Sequence, residues 1–105
     1  MLTVWKYELD TGLNRIDVPV GSKPLSVGTK FPDYEINIWI NVETENPKVP
    51  MLFYVIGTGW EIPQSLMVTA FVGTVIFANG YVWHVFEVIE LTGDPNDKVS
   101  EQPQG

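Results

Sequence analysis

The feature that most constrains this chain is Asn79-Gly80, set directly between two long apolar runs, Met67 to Ala78 and Tyr81 to Ile89. Asn-Gly between such runs is the strongest short-range hairpin signal, because both central residues of a type I′ turn need positive φ. A two-residue loop then fixes the register. Ala78 faces Tyr81, Ile76 faces Trp83, Thr74 faces Val85 and Val72 faces Glu87. On the reverse side Phe77 faces Val82, Val75 faces His84, Gly73 faces Phe86 and Phe71 faces Val88. The hairpin is apolar on both sides, and a single small sheet cannot hide both of its faces. A second sheet, the N-terminal strands or another subunit must cover it, since a bare apolar face of that extent marks an interface.

The rest of the chain reads as more strands. In Leu2 to Leu9, Thr3, Trp5, Tyr7 and Leu9 share one face. A short strand carries Ile16, Val18 and Val20, and Pro19 inside it points to an edge or a strand end, because proline cannot donate to a ladder. Leu25 and Val27 mark a third strand, and Phe31-Pro32-Asp33-Tyr34 a turn or loop. From Glu35 to Glu43 the alternation is clearest, with Ile36, Ile38, Ile40 and Val42 on one side and Asn37, Trp39 and Asn41 on the other. Thr44 to Pro50 reads as a loop and Met51 to Ile56 as a strand apolar on both faces, ended by Gly57-Thr58-Gly59. Trp60 to Leu66 is the least regular stretch, with room for one helical turn from Pro63.

The fold expected is all-β: a small antiparallel β-sandwich or partly open barrel of about six to seven strands, with residues 1–90 as one domain. Residues 91–105 hold almost no apolar side chain, so they read as a disordered acidic tail. Thirteen acids against six Lys+Arg give a net charge of −7. Glu90 to Gly105 holds the acids Glu90, Asp94, Asp97 and Glu101 against one base, Lys98, for a net −3, and the other −4 belongs to residues 1–89. That charge argues against nucleic acid, which needs clustered cations. The absence of cysteine excludes disulfides and thiolate chemistry and suits the reducing cytoplasm of a cell. No apolar run is long enough for a membrane helix, and Met1 to Asp10 lacks the pattern of a signal peptide.

Candidate sites are few. His84 is the only histidine, and in the register above it faces inward as a core side chain with hydrogen-bonded ring nitrogens. With no second histidine and no cysteine, no metal site and no cofactor are expected. Glu87 either lies in water at a sheet edge or pairs with Lys6 or Arg15. Gly57 and Gly59 fit a tight turn better than a phosphate cradle, since no lysine follows them. Trp60, beside Glu61, either packs over a barrel end or anchors a partner. Trp39 on the polar face of its strand, with Tyr34 and Trp5 near it, either binds a ligand or forms a second, smaller core layer. Asn79, Gly80, Trp83, His84, Gly57 and Gly59 are expected to be structural.

Several segments together resemble a family of small uncharacterised proteins of tailed phages and prophages. They are Val4-Trp5-Lys6-Tyr7, Ile16 to Val20 with Gly21-Ser22-Lys23, Leu25-Ser26-Val27, Ile38-Trp39-Ile40, Val55 to Gly59, Ile62-Pro63, Phe71 to Thr74, and the closing Trp83-His84-Val85-Phe86-Glu87. Family members often carry a histidine after Gly-Thr-Gly, where this chain has Trp60. The resemblance implies a phage origin and supplies no activity. By analogy with small acidic phage proteins, the expected role is a non-enzymatic accessory protein in the host cytoplasm that binds a host protein, for instance as an anti-defence inhibitor. The alternative is a protein that, as an oligomer, binds or sequesters a small nucleotide signal; a homo-oligomer is expected in either case, because the double-sided hairpin needs cover.

Overall fold

The computed structural model describes residues 1–30 and 34–91. The chain is all-β, with seven strands in two sheets that face each other without closing into a barrel. The strands are β1 (Leu2–Leu9), β2 (Gly12–Pro19), β3 (Lys23–Gly28), β4 (Ile36–Glu43), β5 (Lys48–Gly57), β6 (Leu66–Ile76) and β7 (Val82–Glu90). The smaller sheet has the order β1-β4-β3 and the larger β2-β5-β7-β6, with antiparallel neighbours throughout. The expected loop over Phe31-Pro32-Asp33 and the expected tail from Thr92 onward lie outside the described residues.

The core follows from strand alternation. Ile36, Ile38, Ile40 and Val42 of β4 all point inward and are buried. They meet Phe53 and Val55 of β5, Val75 of β6 and Val85 of β7 in one cluster. Trp5, Tyr7, Val27 and Trp83 pack partly buried against it.

Between the two sheets, the nearest approach is of β3 to β6. β2 and β6 are opposite edges of the larger sheet. β3 starts only a few residues after β2, at Lys23, yet Val27 rests on Gly73 of β6. Gly73 is level with Gly12, at the far end of β2, through the pairs Gly73–Val85, Val85–Val55 and Val55–Gly12, so between Pro19 and Val27 the chain travels along the strands as well as across the sheet. Gly73 makes this approach possible: a Cβ there would lie 2.8 Å from Val27 Cγ2. The β1–β2 corner is held by Asn14, whose Oδ1 accepts from the Asp10 N–H at 2.9 Å while its Nδ2 donates to the Asp10 carbonyl at 2.8 Å.

The β6–β7 hairpin departs from the expected register by one residue. Ile76 pairs with Val82, Val75 with Trp83, Thr74 with His84 and Gly73 with Val85. The loop is Ala78-Asn79-Gly80: the Gly80 N–H donates to the Phe77 carbonyl at 2.9 Å and the Phe77 N–H to the Tyr81 carbonyl at 2.8 Å. Gly80 takes a φ of 94°, as the left-handed residue that closes a three-residue loop. A one-residue slip exchanges which side chains share a face. The observed register puts Val75, Phe77, Trp83 and Val85 together on the inner face, where the core needs them. The sequence expectation had divided these four between opposite faces. Two bulges, at Thr69 and Val72 of β6, shift the pairing again further along.

Other boundaries also moved. Lys48 to Pro50, expected in a loop, opens β5 opposite Asp17 to Pro19. Pairing with β7 begins only at Leu52, so Pro50 has a free side and costs no ladder bond there. Pro63 to Leu66 closes as one reverse turn, with the Leu66 N–H donating to the Pro63 carbonyl at 3.0 Å. A helix has no room: Gly57 pairs with Trp83 but Leu66 with Glu90, so the connection must run back along β7, about 23 Å.

Candidate functional site

An open concave surface with aromatic walls lies where β5 ends and the β6–β7 hairpin turns. Thr58 and Gly59 reverse the chain, with the Trp60 N–H donating to the Gly57 carbonyl at 3.1 Å and Gly59 at a φ of 86°. The turn lays the Trp60 indole on Gly57, where a Cβ would sit 2.9 Å from Trp60 Cε2. Any side chain at 57 would push the tryptophan off. Trp60 then meets Trp83 edge-on, with ring centroids 5.4 Å apart and planes at 87°. Tyr81 meets the same Trp83 edge-on at 6.4 Å. Phe77 lies 6.3 Å from Trp83, and Tyr34 lies 6.1 Å from Phe77. These edge-to-face contacts form one continuous aromatic cluster.

Trp60, Tyr81, Trp83 and Gly57 bound an open cleft of about 570 Å³, with Thr58 and Gly80 at its rim. Trp60 is 61% exposed and Tyr81 63%. Among the described residues no charged side chain lines it. Beyond Trp83, a second hollow of about 370 Å³ is walled by Tyr34 and Phe77 and edged by Glu8 and Asp10. Trp83 separates the two, and its indole N–H is buried with no partner among the described residues.

His84 stands on the outer face of the larger sheet, not in the core as expected, because the register shift turns it outward. Its Nε2 is 2.7 Å from Thr58 Oγ1 and its Nδ1 3.2 Å from Thr74 Oγ1. Both ring nitrogens are thus engaged, and the ring ties the Gly57–Trp60 turn to β6. Among the described residues no group of His, Cys, Asp and Glu is placed to hold a metal ion.

Glu87 is not at a sheet edge: β7 lies between β5 and β6, and Glu87 sits half-buried opposite Phe53 and Ala70. Among the described residues it forms no ion pair with Lys6 or Arg15; Arg15 is 3.9 Å from Asp17 instead. Glu61 follows Trp60 and is exposed. Trp5 and Trp39, grouped in the sequence reading, stand on opposite faces of the smaller sheet. Trp5 faces the core with Ile40, and Lys48 Nζ lies 5.8 Å from its ring. Trp39 faces outward beside Lys6 and packs on Gly28, where a Cβ would come within 3.3 Å of its ring. Next to it Asn37 is fully buried, with neither amide atom paired among the described residues. Trp60 and Tyr34 therefore belong to one cluster that excludes Trp5 and Trp39. Tyr81 was missed as a site residue; its place beside the Asn79-Gly80 turn was the available signal.

This geometry defines a small two-sheet β-sandwich with an uncharged aromatic cleft at one end. The chain matches a domain of unknown function, DUF7352, over residues 1–95, and belongs to that family. No curated protein matches it, and no solved structure does.

Proposed function

We propose that the protein is a non-enzymatic binding protein that receives an aromatic or aliphatic side chain of a protein partner in the Trp60–Tyr81–Trp83 cleft. The carrying observation is that two large amphipathic rings stand more than half exposed on a third, Trp83, which holds them in place. Tryptophan and tyrosine anchored around a pocket are the residues that dominate binding energy at interfaces. The phage-protein resemblance makes a host protein the partner, and inhibition of a host defence factor is one form the role takes. A nucleotide is the weaker reading, because among the described residues no cation lines the cleft to meet its phosphates.

The test compares capture of host proteins by the wild type, Trp60→Ala and Tyr81→Ala, followed by titration of the purified captured protein. Each substitution is expected to weaken binding at least tenfold, on the order of 2 kcal/mol for an interface anchor. Trp60 also packs on Gly57, so Tyr81→Ala is the variant expected to leave the melting temperature unchanged. Undiminished affinity in both variants refutes the assignment, as does tight nucleotide binding without any protein partner.

A further inference from the structure

Charge is segregated in this chain. From Ile62 to Phe86 there is no Asp, Glu, Lys or Arg. β6 lies wholly within that stretch and is an edge of the larger sheet. Soluble proteins guard sheet edges with charges or prolines against pairing with another chain. The other three edges here are guarded: β1 by Lys6 and Glu8, β2 by Arg15, Asp17 and Pro19, β3 by Lys23 and Pro24. β6, Leu66-Met-Val-Thr-Ala-Phe-Val-Gly-Thr-Val-Ile76, has neither charge nor proline, only the two bulges at Thr69 and Val72. Met67 to Phe71 are exposed in succession, on both faces of the strand, with Phe71 at 59%. Ile76, at 66%, extends the apolar strip along the outer face.

We infer that β6 is the docking edge for a second copy of this chain, paired antiparallel across a two-fold axis. The occupant follows from charge and area. Two copies carrying −7 each repel wherever acids meet; β6 itself carries no acid, and the nearest, Glu87 and Glu90, stand one strand in on β7. Met67, Val68, Phe71, Ile76, Ile89 and Leu91 are each between 40% and 66% exposed. Together they offer on the order of 500 Å² of apolar surface per copy, so a pair reaches the roughly 1,000 Å² that a specific interface needs. The bulges at Thr69 and Val72 restrict the ladder to short uninterrupted pieces, which favours one closed pair over an open stack.

Sedimentation velocity of the full chain, from micromolar to hundreds of micromolar, tests this. The wild type is expected to sediment at twice 11.8 kDa. Val68→Lys and Phe71→Lys are each expected to weaken self-association at least tenfold, whereas Val4→Lys on the guarded β1 edge leaves it unchanged. Circular dichroism checks that each variant folds. Hydrogen exchange of the wild type serves independently: amides 67–71 are expected to gain protection as concentration rises. A wild type that stays monomeric throughout overturns the inference. So does a dimer that survives both folded lysine variants, or protection at 67–71 that ignores concentration. Binding of a partner by the aromatic cleft is untouched by any of these results.

Discussion

Tyr7 shows how one side chain reports on the fold. It lies on the inner face of β1, half-buried against the core cluster. Burial raises its phenol above the ordinary value of 10.0, because the phenolate loses solvation. The unfolded chain therefore releases this proton first as pH rises. The stability Tyr7 contributes is complete below about pH 10 and is lost as pH climbs through the raised folded value. Urea midpoints at about pH 9 and pH 11 are expected to fall more for the wild type than for Tyr7→Phe. Equal falls would mean Tyr7 is as solvated folded as unfolded. At the same scale Asn37 and His84 diverge from what sequence suggests. Asn37 alternates with isoleucines as a solvent-facing residue should, yet it is fully buried. His84 alternates with apolar neighbours as a core residue should, yet it bridges two threonines on the outer face. Alternation ranks the two faces of a strand; it does not say what covers each.

At the scale of elements, the strands were legible and their register was not. Ile36 to Val42 announced β4 by period two, and Met51 to Ile56 announced the centre of β5. Asn79-Gly80 announced the hairpin, but Asn-Gly serves loops of more than one length. Loop length was decided by which pairing delivers Val75, Phe77, Trp83 and Val85 to one core. The contact between β3 and β6 leaves still less trace, since Val27 and Gly73 are far apart in the chain. It does carry a test. Gly73→Ala is expected to cost about 1–3 kcal/mol, because the Val27 methyl is short and stiff and cannot swing away. Val27→Ala opens the space, so Gly73→Ala added to it should cost measurably less. Chemical denaturation of the four chains closes the cycle; additive losses would show that the two residues do not touch.

At the scale of the whole molecule, the core draws on both sheets at once. Ile38 and Ile40 of the smaller sheet pack against Phe53, Val55 and Val85 of the larger. Most of the buried apolar side chains belong to this shared cluster, so the sheets should unfold together. Ile38→Ala is expected to destabilise by about 2–5 kcal/mol. Tryptophan fluorescence and far-ultraviolet circular dichroism should then report the same shifted midpoint. Trp39 lies in the smaller sheet and Trp83 in the larger, so separate transitions would mean the sheets melt independently. The charge map belongs to this scale too: charged residues are spread over β1 to β4, while β6 and its outer strip are bare of them.

The aromatic cleft was only half visible in advance. Trp60 stood out because no alternation explained it, but Trp39 and Trp5 looked equally available, and only the pairing of β1 with β4 puts them on opposite faces. Sequence alone determined the all-β class, the places of most strands along the chain and the inward face of β4, because these rest on local alternation and turn chemistry between near neighbours. Tertiary structure decided the hairpin register, the packing of β3 on β6 and the meeting of Trp60, Tyr81 and Trp83. Those depend on which surfaces pack after the chain has folded back, and distant residues compete for that packing without any local mark.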